Sequence, residues 1–307
     1  MAFPCSNPVE TKIPKVSVGM PIYNVADVVE NAIQSILDQT FTDFELIISD
    51  NNSTDETTAI CERFALSDPR IRLIKQPVNM GGEANFKFVL DQAKGEYFTW
   101  AASDDMRTEG FLEKNIAFLE KHPDYSFSCA SNCFIGEENE PEKFKTFAIE
   151  GSLYKRLYSF LDFGIISHGC FYSVFRRNML ADHTIAVNPS YFAFDWAVNM
   201  HLLSKGKFGR VEGEKLILGF GVSTKPDFFI KMGNNWVENV FPFAEFSKRV
   251  INKIKNNREL TASERAAIIF KIYRFNIVFA GGQIKTKILR SLSKIKKSVL
   301  NPKKKSV

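Results

Sequence analysis

Residues 16–132 predict an α/β domain on a largely parallel sheet. Short apolar runs alternate there with stretches of helical periodicity in the order β-α-β-α-β-α-β-α-β, the order that gives parallel strands with helices on both faces. The strands are apolar along most of their length rather than on alternate residues, as strands covered on both sides are. Polar clusters follow the predicted strands at "PIYN" (21–24), "SDNNSTD" (49–55), "NMGGEAN" (79–85) and "SDDM" (103–106). Ligands of open α/β sheets sit outside the strands' carboxyl ends, so these four clusters should converge on one rim.

In order along the chain, "VSVGM" (16–20), "FELIIS" (44–49), "IRLIK" (71–75), "YFTWA" (97–101) and "YSFSCAS" (125–131) read as strands. Residues 27–38, 54–66, 83–93 and 109–121 read as helices, the first from the spacing of Val29, Ile33, Ile36 and Leu37. "STDE" at 53–56 has the capping-box pattern, with Ser53 as N-cap and Glu56 three residues on. Beyond 132 the pattern loosens. Residues 135–151 form a charged connector, 166–180 ("ISHGCFYSVFRRNML") a strand and a helix start, and 194–207 a helix with Trp196, Val198, Leu202 and Leu203 as its apolar residues. A second capping box, Thr261 to Glu264, opens a helix over 261–275. The expected division is an N-terminal extension 1–15, a domain 16–230 with halves 16–132 and 133–230, and a helical C-terminal region 231–307.

A chain of 307 residues with 45% hydrophobic content suffices for one large domain or a domain with an appendage. "MAFPCSNPVETKIPK" lacks the basic flank and apolar segment of a signal peptide, and no uncharged apolar run reaches the ~20 residues that span a bilayer. A cytoplasmic location is therefore expected, with the inner face of the membrane as a variant of it. The net charge is +5, yet residues 283–307 alone carry nine Lys or Arg and no acid, which leaves −4 on the rest. The basic balance belongs to the tail, and a nucleic-acid-binding core is not indicated. Ile284, Ile288, Leu292, Ile295 and Val299 recur there at helical spacing. Such a helix fits an anionic membrane surface and equally a helix packed on the domain with solvated lysines. Cys5, Cys61, Cys129, Cys133 and Cys170 are odd in number and scattered, which favours core thiols over ligands or disulfides.

Asp104 and Asp105 stand side by side where a buried strand ends. Two adjacent carboxylates need solvent, donors or a cation to compensate them. They fit a cation site, or an acidic turn capping the next helix.

"VSVGMPIYN", "FELIISDNNSTDET", "NMGGEANF", "GEYFTWAASDD" and the later "FDW" resemble, in order and spacing over about residues 16–210, the motifs of family 2 glycosyltransferases. The resemblance implies an inverting enzyme of the GT-A fold, a Rossmann-like nucleotide-diphospho-sugar transferase plan. Its donor is then a nucleotide-sugar, UDP by frequency, and its acceptor a glycan or lipid-linked sugar of surface polysaccharide synthesis. It implies Mn or Mg held by Asp105 and Asp104, with Asp104 also on the donor, and Asp50 on the nucleotide base with Asn51, Pro21, Tyr23 and Asn24 beside it. A carboxylate suits the N–H donors of uracil or guanine, while Asp50 and Asn51 also suit the turn before residue 53. Asn79, Gly81 and Gly82 form a loop that backbone can approach closely, and Lys75 is the cation nearest the diphosphate by sequence.

An inverting transfer needs one base for the acceptor hydroxyl. By resemblance this is Asp195, with a helix-start charge as the alternative reading. His168, Gly169 and Trp196 fall where relatives line the acceptor pocket, although His168 also suits a core histidine, and Trp196, like Trp100, flanks apolar residues as core tryptophans do. The chain departs from the family pattern at Phe194, where an acid is usual, at Ala102, where many relatives have Asp, and at "GFGVSTKP" (219–226), which lacks a late His and offers Ser223 and Thr224 instead. A sugar-nucleotidyltransferase would want a Gly-rich cationic loop after the first strand, which "PIYNVADVV" is not. A dehydrogenase lacks its fingerprint. A binding module of the same fold without turnover is the remaining alternative.

Overall fold

The computed structural model of the protein describes residues 12–139, 147–163, 169–181, 193–219, 241 and 243–300, without the side chains of Phe163 and of 282–300. The first half follows the sequence pattern: β1 (Val16–Ile22), α1 (Val29–Leu37), β2 (Phe44–Asp50), α2 (Thr57–Ser67), β3 (Ile71–Lys75), α3 (Gly82–Asp91) and β4 (Tyr97–Trp100). Val29, Ala32, Ile33 and Ile36 of α1 are buried, the face that the 3.6-residue period predicts. Strands β1, β2, β3 and β4 pair in parallel, with Ile22 level with Asp50 and Asp50 level with Lys75.

The second half runs β5 (Met106–Arg107), α4 (Phe111–Lys121), β6 (Tyr125–Phe134), α5 (Leu153–Phe163), β7 (Val174–Arg176), α6 (Phe194–Lys205), β8 (Lys207–Leu218), α7 (Ala244–Lys255) and α8 (Ala262–Leu300). A 3-10 turn, Cys170–Tyr172, precedes β7, and another, Arg177–Leu180, stands where a helix start was expected. The expected strand within 166–180 is thus three residues long, and 166–168 lie outside the described residues. All strands join one sheet of order β3-β2-β1-β4-β7-β6-β8-β5. It is more mixed than expected, because β7 runs antiparallel to β4 and β6, and β5 antiparallel to β8.

This order shapes the site. From β4 to β5 the sheet crosses four strand spacings, about 19 Å if flat, and the chain between Trp100 and Met106 reaches only about 20 Å fully extended. It is not extended: Asp105 N–H bonds back to Ala102 O at 3.4 Å, and Arg107 donates to Trp100 O. The sheet therefore curls, carrying the end of β8 toward the end of β4.

Of the two capping boxes only the second forms. Thr261 N–H donates to Glu264 Oε2 at 2.8 Å and Glu264 N–H to Thr261 Oγ1 at 3.3 Å. At the first, Asp55 Oδ1 takes the Thr57 N–H at 3.1 Å instead, and Ser53 turns back to Asp50. Tertiary demand on Ser53 outweighs the local cap.

Trp100 stacks on Phe171 at 4.4 Å between planes 8° apart, with Phe98 edge-on at 5.1 Å, so Trp100 is core. Cys61, Cys129 and Cys170 are buried and Cys133 half-buried, all as free thiols; Cys5 lies outside the described residues. Among the described residues no helix is long and apolar enough to cross a membrane.

Candidate active site

The loops after β1, β2 and β3 are laced together by their own side chains. Asn24, in the left-handed region at φ 51°, donates its N–H to Ser53 Oγ at 3.0 Å and accepts the Thr54 N–H at 2.8 Å. Asp50 is buried. Its Oδ1 accepts the Ser53 N–H at 3.0 Å and the Ser53 hydroxyl at 2.6 Å, and its Oδ2 accepts from Thr58. Asp50 thus organises the turn, as its Asx character allows. Tyr23 is exposed on the rim beside it and Pro21 half-buried.

Asn51 commits its whole amide to the next loop. Its Oδ1 accepts the Met80 N–H at 2.9 Å, and its Nδ2 donates to Asn79 Oδ1 at 2.9 Å and to Gly81 O at 3.2 Å. Asn79 Oδ1 also takes the Gly81 N–H at 2.9 Å. Gly81 sits at φ 90° with no neighbour within 4 Å of a would-be Cβ, so glycine is needed there for its backbone angle and the loop surface stays open. Below it, Asn85 exchanges bonds with Ser49 of β2, accepting its hydroxyl at 2.6 Å and donating to its carbonyl at 2.9 Å. Lys75, level with Asp50, makes an exposed ion pair with Glu62, Nζ to Oε1 2.7 Å, and also feels the Asp50 charge.

The Ser103–Asp105 turn spans the mouth of the curled sheet. Asp105 is 4% exposed. Burial pushes its carboxyl up to about 6, helped by the Asp104 charge and opposed by the Gly219 N–H and by Arg107. The Gly219 N–H reaches its Oδ1 at 2.9 Å, while its Oδ2 is buried without a hydrogen-bond partner. Asp104, half-buried, is raised by desolvation, against its own backbone N–H. An unpaired buried carboxylate oxygen beside a second desolvated carboxylate is the donor set a hard divalent cation takes, with phosphate and water oxygens completing it. Among the described residues no group of three or more His, Cys, Asp or Glu stands ready to hold an ion alone. Ser223 and Thr224 lie outside the described residues.

Gly219 was not singled out in the sequence, and only this contact reveals it. A Cβ there would stand 2.4 Å from Asp104 O and 2.6 Å from Asp104 Oδ2. Gly219→Ala is expected to displace the Asp104 carboxylate and lower donor affinity roughly tenfold, a loss of about 1.4 kcal/mol. Isothermal titration with nucleotide and Mn²⁺ would read it; unchanged affinity refutes the contact's importance.

Asp195 lies in the first turn of α6, entered through Ala193 in the left-handed region at φ 65°. Burial pushes its carboxyl up to about 6, opposed by the Trp196 N–H and its own. Phe194, where an acid was expected, packs on Phe86 at 5.8 Å and Phe171 at 5.4 Å, so an aromatic anchor holds this helix start. Tyr172 joins the two halves. Its phenol is raised well above its ordinary value, by burial first and then by the charges of Asp105, Asp104 and Asp195, in that order. The charges of carboxylates from both halves are thus felt at Tyr172, a proximity that separation along the chain hides.

Trp196, half-buried, packs among Phe160, Phe243, Phe246 and Phe275 at 5.2 to 6.2 Å, as the core reading has it. Gly169 is buried against Leu216 and Asn132, and its carbonyl accepts the Tyr172 N–H at 3.1 Å. His168 lies outside the described residues.

Residues 17–184 match the model described as Glycosyl transferase family 2. The GalNAc(5)-diNAcBac-PP-undecaprenol beta-1,3-glucosyltransferase of Campylobacter jejuni is 34% identical over 170 residues, 55% of this chain and 53% of that protein. Residues 1–349 of S. aureus TarS in complex with UDP-GlcNAc superpose with a TM-score of 0.65 at 20% identity, over 84% of this chain and 71% of that one. Mannosyltransferase PcManGT from Pyrobaculum calidifontis, in complex with GDP-Man and Mn²⁺, gives 0.55 at 14% identity, over 96% and 82%. At these identities the two structures speak for the fold. The chain spans about half the length of the curated relatives it matches, 41% and 53% of two of them.

Proposed function

The chain belongs to glycosyl transferase family 2, and from that membership we propose that it moves a sugar from a nucleotide-diphosphate donor, a UDP-sugar in the first instance, to a glycan or lipid-linked acceptor in surface polysaccharide synthesis, with inversion. The observation that carries this reading is the Asp104–Asp105 turn, in which Asp105 Oδ2 is buried without a hydrogen-bond partner while the Gly219 N–H holds Oδ1 at 2.9 Å.

In the proposed reaction the acceptor oxygen forms a bond to the donor's anomeric carbon as the bond from that carbon to the diphosphate oxygen breaks. Asp195 takes the acceptor's proton, and the nucleoside diphosphate leaves with the electron pair. A carboxylate held near 6 by burial is charged at neutral pH and basic enough to assist, the compromise a general base needs. Asp104 and Asp105 would hold Mn²⁺ or Mg²⁺, which when bound supplies positive charge to the leaving diphosphate. On the base side, one lone pair of Asp50 Oδ2 remains for a nucleobase N–H beyond its bond from Thr58, and Tyr23 is free to lie against the base. Asn51 is read here as holding the 79–81 loop in place and not as touching the donor. Nucleotide-sugars as substrates favour the cytoplasmic side of the membrane.

Screening UDP-, GDP- and dTDP-sugars with Mn²⁺ tests the reading, with hydrolysis or transfer followed by mass spectrometry. One donor is expected to be consumed. Nucleotide binding without consumption, even with candidate glycan acceptors present, would replace catalysis by the binding-module reading, for which Ala102 speaks.

A further inference from the structure

Among the described residues, helix α8 is packed on one side. Ile268, Ile272 and Ala280 are buried, and Lys271 pairs with Asp162 of α5 at 2.6 Å. On the other side Phe270, Tyr273, Ile277 and Val278 are 70%, 53%, 68% and 63% exposed. Single exposed apolar residues are common, but four within nine positions on one helix face mark a contact surface.

The exposed face is also the one that continues. At about 100° per residue, Phe270, Tyr273 and Ile277 share a line, and Ile284, Ile288, Leu292, Ile295 and Val299 fall within roughly 60° of it. The backbone is helical to Leu300, so the line runs about 45 Å from Phe270 to Val299. The side chains beyond Gly281 lie outside the described residues. Lys285, Lys287, Lys294 and Lys296 fall about 80° to 100° to either side of the same line.

We propose that this line is a docking surface for an anionic lipid bilayer, with α8 lying along the headgroup region. Charge decides the occupant. Residues 283–307 carry nine Lys or Arg and no acid, and flanking cations over an apolar line match acyl chains below and phosphates beside them. A second copy docking through the same face would bring two such tails together against their repulsion.

The opposite face of α8 meets the catalytic half. Phe275 lies 5.2 Å, ring to ring, from Trp196, which follows Asp195 in α6. One helix thickness therefore separates the bilayer from the helix bearing Asp195, and the acceptor space sits at a fixed height above the lipid. That consequence rests on the lipid-linked acceptor reading; the docking does not.

Flotation of the full chain with phosphatidylethanolamine–phosphatidylglycerol vesicles, and with phosphatidylcholine vesicles, tests the surface. Wild type is expected to bind the anionic vesicles at least about tenfold more tightly, and high salt to release it. The double variant Phe270→Glu with Ile277→Glu should bind at least about tenfold more weakly with an unchanged melting temperature, since both sites are exposed. A wild type that does not float, a variant that floats equally well, or a wild-type dimer that the variant dissociates would each overturn the proposal. The vesicles contain no acceptor, so binding without sugar transfer in a separate assay sinks the acceptor reading and leaves the docking standing. Transfer to a soluble acceptor by a protein that never floats does the reverse.

Discussion

An Asp195→Asn variant is expected to lose about 10²- to 10⁴-fold in kcat while its donor affinity stays within about twofold. The amide keeps the size of the side chain and its place at the start of α6, but cannot take a proton. The pH profile separates this from a structural effect. With the carboxyl pushed up to about 6, wild-type activity should fall about tenfold per pH unit below that point, because protonation removes the base. At saturating Mn²⁺, which keeps Asp105 ionised, the variant's residual activity should lack this limb. A variant that turns over normally, or one that keeps the same acid limb, would remove Asp195 from the role.

Asp105→Asn gives the second large effect, seen in stability as well as activity. Folding raises this carboxyl from 3.8 to about 6, so the native state binds its proton more tightly than the unfolded chain does. The sign follows: between those values the unfolded state binds fewer protons, stability drops as pH rises, and above about 6 the buried charge costs on the order of 3 kcal/mol. Without added metal, wild type should therefore lose melting temperature relative to the Asn variant as pH is raised from about 4 to 7. Mn²⁺ should restore several degrees to wild type at neutral pH and nothing to the variant, whose metal-dependent turnover should also be gone. Equal responses of the two proteins to Mn²⁺ would sink the assignment of Asp105 as a ligand.

The first half of the fold was legible because its signals are local. Each strand of 16–100 is one apolar run, each helix one amphipathic stripe, and each loop ends where polar residues begin. The other half depends on distant pairing. Strand β8 mixes Lys207, Arg210, Glu212, Glu214 and Lys215 with its apolar residues and reads as loop until β6 and β5 are seen beside it, and β5 is only two residues long. The site divides the same way. Asp104, Asp105 and Asp195 stand in recognisable motifs, whereas Gly219 and Tyr172 matter through contacts across 114 residues and across the two halves. Ser53 misled because its cap pattern was real, but the hydroxyl had a stronger use 3 residues back, at Asp50.

The curl of the sheet also sets a timetable for synthesis. Strands β1 to β4 pair among themselves within the first 100 residues, so that half can form while the chain is still emerging. The turn holding Asp105 is made early as well, yet its Oδ1 waits for the Gly219 N–H, and β5 waits for β8. A nascent chain halted before residue 207 would carry the loops laced around Asp50 and Asn51 with the carboxylate turn still unbraced. The catalytic geometry is completed only when the last strand closes the sheet.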